Sequence, residues 1–173
     1  DEERKLHMQT LAALYPEADS YERLMMVSRK MRLPAATFDE IFRRMVFNIL
    51  ANNTDDHNKN FSFLMDEQGK WSLSPAYDLT YIFNSGGYLP EQTHCLMMNG
   101  KLYGHTKEDA LAFAKENGVR KPENIINEVV SAISQFRSFA EKYLVEERWI
   151  SAVETRLNEL LESWGFADAS KNV

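Results

Sequence analysis

The sequence is poor in glycine, histidine and cysteine. Its 173 residues include 7 Gly, 4 His and 1 Cys. It contains no G-x-G-x-x-G or Walker pattern, so it carries no glycine-rich loop of the kind that cradles nucleotide phosphates. The lone Cys95 cannot form an internal disulfide, which excludes a disulfide scaffold and fits a reducing compartment. We therefore expect a cytoplasmic protein.

Long hydrophobic runs and a basic excess are also missing. No apolar run approaches the roughly 18 residues that cross a bilayer, and no signal-peptide pattern opens the chain. Twenty Lys and Arg oppose 26 Asp and Glu, giving a net charge of −6. The longest basic cluster, Ser28–Arg32, is typical of a helix end rather than of a basic stripe. We expect contact neither with a membrane nor directly with nucleic acid.

The composition is otherwise that of a globular protein. Hydrophobic residues make up 44% of the chain and charged residues 27%, which excludes disorder and collagen-like repeats. A chain of this length can bury about 70% of its unfolded surface and needs no disulfide or metal to fold. At roughly 150 residues per domain, we predict one domain over residues 1–173.

The N-terminal half is predicted to be helical up to a polar loop. Helices are expected over 4–15 and 20–32. A third begins with an apparent capping box at Thr37–Glu40 and continues as an apolar stripe at helical spacing. That stripe is Phe38, Ile41, Phe42, Met45, Val46, Ile49 and Leu50. The next ten residues, Ala51–Asn60, are rich in Asn and Asp, which favour turns, so we predict an exposed loop.

Two hairpins and several helices follow this loop. The first hairpin joins Phe61–Met65 to Lys70–Leu73, and the second is centred on Asn99-Gly100, a dipeptide suited to a type I′ turn. Thr106 is predicted to begin a helix that ends at Gly118, and Pro122 to begin the next. Two further apolar stripes are Ile125, Ile126, Val129, Val130, Ile133 and Phe136, and Trp149, Ile150, Val153, Leu157, Leu160, Leu161 and Trp164.

The polar loop carries the chemistry. Asp55 and Asn60 have the spacing D-x-x-x-x-N, in which a phosphotransferase Asp accepts the substrate hydroxyl proton and the Asn holds Mg²⁺. A second metal-binding carboxylate is then needed after a hairpin, and Asp78 stands there. Oxygen ligands such as these suit Mg²⁺, which takes few protein ligands plus phosphate and water. The order Asp, Asn, hairpin, Asp is that of a kinase C-lobe.

The segments Asn53–Ser62 and Ser74–Leu79 together resemble the HipA-like serine/threonine kinases, which are toxins of bacterial toxin–antitoxin systems. The resemblance extends over essentially the whole chain as that family's helical C-lobe. It implies a mainly α, protein-kinase-like fold with one or two short β-hairpins at the catalytic cleft. It also implies ATP- and Mg²⁺-dependent transfer of the γ-phosphate to a protein hydroxyl.

The resemblance assigns roles to five residues. Asp55 matches the catalytic Asp, Asn60 the Mg²⁺-binding Asn, and Asp78 the Asp that replaces that of Asp-Phe-Gly. His57 and Lys59 match motif positions and are counted with Asp55 as catalytic. Lys59 is also expected to bind the nucleotide, through the γ-phosphate, or to contact the substrate.

The resemblance also implies partners. In this family the phosphate loop and its lysine lie in an upstream N-lobe, so the chain resembles half of an enzyme whose N-lobe was trimmed away or is a separate polypeptide. Alone, it is expected to transfer little or no phosphate. The other implied partners are a DNA-binding HipB-like antitoxin and a protein substrate such as an aminoacyl-tRNA synthetase.

Other functions stay open at this point. A catalytically incomplete lobe could act as an interaction module through its acidic helices over 122–164. The Asp-x-His-x-x-Asn arrangement also resembles that of phosphoinositide kinases, which leaves a lipid or small-molecule phosphotransferase possible. A metal hydrolase using Asp55–His57 would need further histidines at ligand spacing, and those present are scattered.

Three residues or segments near the motif have plainer interpretations. Asp56 is expected to be solvated. Cys95, in an apolar run, is expected to be a small buried hydrophobe. Residues Asn84–Tyr88 stand where kinases place an activation segment, and an ordinary surface loop is an equal interpretation.

Overall fold

Helices make up about half of the described part of the chain. A computed structural model describes residues 5–83 and 93–166. Its elements are, in chain order, β1 (His7–Thr10), α1 (Leu11–Leu14), α2 (Tyr21–Lys30), α3 (Ala35–Leu50), β2 (Ser62–Met65), β3 (Trp71–Leu73), α4 (Lys107–Asn117), α5 (Pro122–Ile133), α6 (Phe136–Lys142) and α7 (Glu147–Ser163). The three strands form one antiparallel sheet in the order β1-β2-β3. The predicted mainly α fold with a short hairpin is confirmed.

The N-terminal segment is a strand rather than a helix, so the helix predicted over 4–15 is wrong. Strand β1 pairs with β2, with His7 opposite Met65 and Thr10 opposite Ser62. Only a single helical turn follows, in which Thr10 accepts a hydrogen bond from the Ala13 amide. An isolated helix of this length is marginal in water. Pairing with a neighbouring strand therefore decides the conformation here.

Helix α3 is the central element of the core. It contacts α2, α4, α5 and α7, and its predicted apolar stripe faces them. The predicted capping box at Thr37–Glu40 is wrong, because the helix already begins at Ala35 and no side chain caps it. The two carboxylates of that segment instead bind Arg120 and Arg44.

Strands β2 and β3 form the first predicted hairpin. Phe63, which is fully buried, lies opposite Leu73. Asp66 closes the turn by accepting from two following backbone amides at 3.0 and 2.8 Å. Gly69 supplies the left-handed backbone that this turn requires, with φ 77°. The hairpin thus begins directly after the polar loop and is followed by the loop that carries Asp78.

The second predicted hairpin is a turn without strands. Asn99 and Gly100 both have positive φ, 50° and 72°, as a type I′ turn requires. Only one bridge, between Met98 and Lys101, flanks the turn. Asn99 in the turn binds the neighbouring helices, its amide donating to Glu22 of α2 and its side chain to the Asp109 carbonyl of α4.

The C-terminal helices begin and end largely as predicted. Thr106 and Asp109 form a reciprocal capping box on α4, and Gly118 ends the helix in the left-handed conformation. Pro122 occupies the first turn of α5. The predicted stripe of α5 continues to Phe136, whereas α5 ends at Ile133 and a separate helix, α6, begins three residues later, at Phe136.

The interpretation of Asn84–Tyr88 concerns residues outside the described ranges. Within those ranges, no helix is both long and apolar enough to cross a membrane.

Candidate active site

The polar loop between α3 and β2 is held in place by the first turn of α1. The Leu11 amide donates to the Phe61 carbonyl at 2.7 Å, and the Ala12 amide donates to the Asn58 carbonyl at 3.2 Å. First-turn amides have no partner within their own helix and are free to bind elsewhere. On the other side, the Asn53 amide donates to the carbonyl of Asn48 on α3 at 2.9 Å. The loop is therefore fixed at both ends.

Asp55 and Asn60 lie at the two ends of a turn in this loop. The side-chain amide of Asn60 donates to the Asp55 backbone carbonyl at 2.8 Å. Because the nitrogen of that amide is used in this way, its Oδ1 atom is the one left to accept a ligand. The Asp55 side chain is 53% exposed, so its carboxylate is available to a substrate.

Asp78 approaches Asn60 from the loop after β3. The two residues line one narrow pocket together with Arg44 and Phe61, among others. Asp78 has φ 55°, in the left-handed region that costs a non-glycine residue roughly 1–2 kcal/mol. Such conformations persist where the surrounding structure holds them, and they concentrate at functional sites.

Tyr77 ties the Asp78 loop to the polar loop. Its hydroxyl donates to the Lys59 carbonyl at 2.5 Å and lies 2.5 Å from Ser62 Oγ. Since the single phenol proton goes to Lys59, the Ser62 hydroxyl donates to Tyr77. These bonds fix the distance between the loop that carries Asp55 and the loop that carries Asp78.

His57 and Lys59 occupy different surroundings. His57 Nε2 lies 3.8 Å from Asp55 Oδ1, while its Nδ1 is buried without a hydrogen-bond partner among the described residues. Lys59 is exposed, and its backbone carbonyl accepts the hydrogen bond from the Tyr77 hydroxyl. The structure therefore places His57 beside Asp55 and leaves the Lys59 ammonium facing solvent.

Asp56 is fully buried, so the expectation that it is solvated is wrong. Its carboxylate accepts from the Tyr21 hydroxyl at 2.5 Å, from His94 Nδ1 at 3.0 Å and from the Cys95 amide at 2.8 Å. Burial, and then the charge of Asp56, hold the pKa of Tyr21 well above its usual value, which keeps this hydroxyl a donor. The local sequence gives no sign of this, because every partner is at least 35 positions away.

Cys95 is exposed rather than buried, which corrects a second expectation. Its thiol lies 3.9 Å from Asp55 Oδ1. Partial burial of the thiol, together with the charges of Asp56 and Asp55, raises the pKa of Cys95 to about 11. The thiol is therefore protonated at neutral pH and is a poor nucleophile.

The donor set at the pocket fits Mg²⁺ bound jointly with a phosphate ester. Asn60 and Asp78 offer hard oxygen ligands, and Mg²⁺ completes its octahedron with phosphate and water. Across residues 5–83 and 93–166, no group of three or more His, Cys, Asp or Glu side chains is arranged to hold a metal ion. A metal hydrolase based on Asp55–His57 thus finds no ligand cluster in this part of the chain.

Comparison with known proteins gives consistent results. Residues 1–136 match the family described as HipA-like C-terminal domain. The chain is similar to the Sinorhizobium fredii protein Y4mE, at 31% identity over 126 residues, which cover 68% of this chain and 28% of that protein. It is also similar to the serine/threonine-protein kinase toxin HipA of Shewanella oneidensis, at 36% identity over 66 residues, 38% of this chain and 15% of the toxin.

A solved structure resembles the fold over most of the chain. It is the complex of Shewanella oneidensis HipA with HipB and operator DNA, with a TM-score of 0.70 and 24% identity, and it covers 91% of this chain and 38% of that one. The chain thus spans less than a third of the length of the two curated relatives.

Proposed function

Because the chain belongs to the family of HipA-like C-terminal domains, we propose that it is the C-lobe of an ATP- and Mg²⁺-dependent serine/threonine protein kinase. The transferred group is the γ-phosphate and the acceptor is a protein hydroxyl. An N-lobe supplies the phosphate loop and the lysine that this chain lacks.

One observation carries the proposal. Asn60 and Asp78 are separated in sequence by the β2–β3 hairpin, yet they line the same pocket. Asp55 lies one turn away, bound to Asn60 through its backbone carbonyl. A proton acceptor and two oxygen ligands at one place are what phosphoryl transfer requires of the protein.

The residues have distinct roles in this proposal. Bound Mg²⁺ would neutralise the charge on the β- and γ-phosphates. Asn60 Oδ1 and the Asp78 carboxylate would hold the ion, while Asp55 orients the acceptor hydroxyl and takes its proton. His57 Nε2 lies 3.8 Å from Asp55 Oδ1, beside the carboxylate but beyond direct hydrogen-bond distance. The contribution of the protein is positioning and charge neutralisation.

The test uses the intact protein with its N-lobe and measures transfer from γ-labelled ATP. In Asp55→Asn we expect the turnover to fall by about 100-fold or more, since removing a general base has that effect, while Mg-ATP still binds in a calorimetric titration. In Asp78→Asn we expect the Mg²⁺-dependent part of ATP binding to disappear.

Asp19→Asn is the matched control, because the Asp19 side chain has the same exposure as that of Asp55, 53%. It removes one surface ion pair with Arg23, which is worth little. Turnover of Asp55→Asn equal to that of this control would overturn the assignment of the base. Transfer to lipids or small molecules, with none to protein hydroxyls, would favour the alternative phosphotransferase.

The same proposal includes partners. HipA of Shewanella oneidensis is seen with HipB and operator DNA, and we propose a HipB-like DNA-binding antitoxin as the partner here. We propose an aminoacyl-tRNA synthetase as the first acceptor to assay. Co-purification of a coexpressed HipB-like protein with the intact protein, and labelling of the synthetase by the intact protein, test the two proposals separately.

The interaction-module alternative receives less support from the charges over 122–164. Most of the carboxylates there form ion pairs within the chain. Three of these ion pairs involve one residue, Arg137, which binds Glu141, Glu147 and Glu154. An acidic docking face would instead present carboxylates without partners, so we place this function second.

A further inference from the structure

The carboxylate of Asp56 joins three separate parts of the chain. It is fully buried and accepts hydrogen bonds from the Tyr21 hydroxyl, His94 Nδ1 and the amides of Cys95 and Leu96, the last at 3.4 Å. A buried carboxylate is costly unless its oxygens are satisfied in this way. Helix α2 and the chain at 94–96 are therefore both bound to the residue that follows Asp55.

The network continues from Tyr21 towards Asp78. The Tyr21 hydroxyl accepts from Asn48 Nδ2 at 3.0 Å, and Asn48 Oδ1 accepts from Asn53 Nδ2 at 3.0 Å. Asn53 Oδ1 then accepts from the hydroxyl of Thr80 at 3.5 Å. Side-chain hydrogen bonds thus run without a break from Asp56 to the residue two positions beyond Asp78.

A second anchor lies next to the first. Asn52 Nδ2 donates to the Ile82 carbonyl at 2.6 Å, and the Ile82 amide donates to the Asn52 carbonyl at 3.1 Å. The segment that follows Asp78 and the segment at 94–96 are therefore both hydrogen-bonded to the polar loop. The first binds the loop before Asp55 in sequence, and the second binds it after Asp55.

The burial of Asp56 also decides where Asp55 points. The two neighbours differ completely in exposure, with Asp56 at 0% and the Asp55 side chain at 53%. Asp56 is held inside by its donors, and the Asp55 side chain faces outward, beside the segment at 94–96, where the Cys95 thiol lies 3.9 Å from its carboxylate.

We infer that Asp56 is a positioning residue for phosphoryl transfer: its buried hydrogen bonds fix the direction of Asp55 and the path of the chain at 94–96 beside it. The inference rests on the proposed function. Asp56 lines the same pocket as Asn60 and Asp78, but its carboxylate is fully buried and holds four hydrogen bonds within the chain. In this inference it therefore acts through Asp55. A base displaced by about 1 Å costs on the order of 100-fold in rate, so loosening this network should lower turnover more than nucleotide binding.

The test compares Asp56→Asn with the intact wild-type protein, N-lobe included. We expect kcat to fall about 30- to 100-fold, with KM for Mg-ATP within about twofold, because Asn60 and the Asp78 loop keep contacts of their own, with the Asp55 carbonyl and through Tyr77. Tyr21→Phe removes one donor and leaves the Cys95 and Leu96 amides bound, so it should lose less, about 3- to 10-fold. The calorimetric stoichiometry of Mg-ATP binding measures the folded fraction in each variant.

Asn117→Ala is the control for a general loss of stability. Asn117 is buried on α4, away from the pocket, and its side chain binds Arg29 and the Phe113 carbonyl. It should destabilise the protein and leave kcat per binding site unchanged. Wild-type kcat in Asp56→Asn, or a loss of kcat fully accounted for by lost binding stoichiometry, would overturn the positioning role. A wild-type protein that neither binds Mg-ATP nor transfers phosphate would instead overturn the proposed function, and this inference with it.

Discussion

The change Arg44→Met tests whether helix α3 positions the loop that carries Asp78. Arg44 is 7% exposed. Its Nη2 donates to the Ser74 carbonyl at 2.7 Å, and its Nε donates to Glu40 Oε1 at 2.8 Å. Ser74 stands at the start of the Asp78 loop. Methionine preserves most of the apolar packing of the arginine stem and deletes both hydrogen bonds.

The expected cost is a balance of two effects. Losing a hydrogen bond from a charged donor to the buried Ser74 carbonyl costs about 1.5–3 kcal/mol. Against this, methionine removes a buried guanidinium whose Nη1 has no partner among the described residues, and apolar replacement of buried ions is often neutral or stabilising. Glu40 still forms an ion pair with Arg43, with 3.0 Å between Oε2 and Nη1, so its carboxylate is not left without a partner.

We therefore expect the free energy of unfolding to fall by about 1–2 kcal/mol. At roughly 2–4 °C per kcal/mol, this lowers Tm by about 2–8 °C. Urea unfolding measures the stability, and calorimetry of the intact protein should show Mg-ATP affinity weakened about 5-fold as the Asp78 loop loosens. Arg43→Met is the control, since the Arg43 side chain is 39% exposed and its ion pairs lie at the surface. Equal unfolding midpoints and equal Mg-ATP affinities in the two variants would refute the reasoning.

Further predictions concern single elements. Thr106→Ala removes the cap of α4 and should cost about 1 kcal/mol in urea unfolding; a change below 0.3 kcal/mol, on the order of measurement error, would contradict the cap. Gly118→Ala should cost about 1 kcal/mol, from the left-handed φ alone, because nothing lies within 4 Å of the added methyl. Arg120→Ala breaks an exposed ion pair with Asp39 and should cost less than about 1 kcal/mol, falling with salt. Iodoacetamide should modify Cys95 slowly at pH 7, with a rate that rises about tenfold per pH unit until it levels off near the thiol pKa of about 11; a plateau near pH 8 would show that the thiol pKa is not raised.

Features that depend on neighbours in sequence could be predicted from sequence. The stripe of α3, the reciprocal cap at Thr106 and the turn at Gly69 all follow from residues within about four positions of one another. The order of Asp55, Asn60, hairpin and Asp78 is likewise a property of spacing. This order indicates the family without reference to any contact, and the family match over residues 1–136 agrees with it.

Two of the wrong predictions involve partners that are distant in sequence. Strand β1 pairs with β2, which lies more than 50 residues away. The capping box at Thr37–Glu40 does not form, because α3 already begins at Ala35 and the Asp39 carboxylate binds Arg120, 81 positions away. A local pattern competes with such partners and cannot reveal them.

Asp55 and Asp56 show the division most clearly. Local pattern is enough to predict a polar loop with two neighbouring carboxylates after a core helix, and Asn60 and Asp78 at kinase-like spacing from it. Which carboxylate faces solvent and which is buried depends on the folded chain, because the donors that hold Asp56 come from α2 and from the segment at 94–96. Other contacts, those of Tyr77 with Lys59 and Ser62, hold the Asn60 and Asp78 loops at one pocket, since folding, not spacing, closes the distance between them.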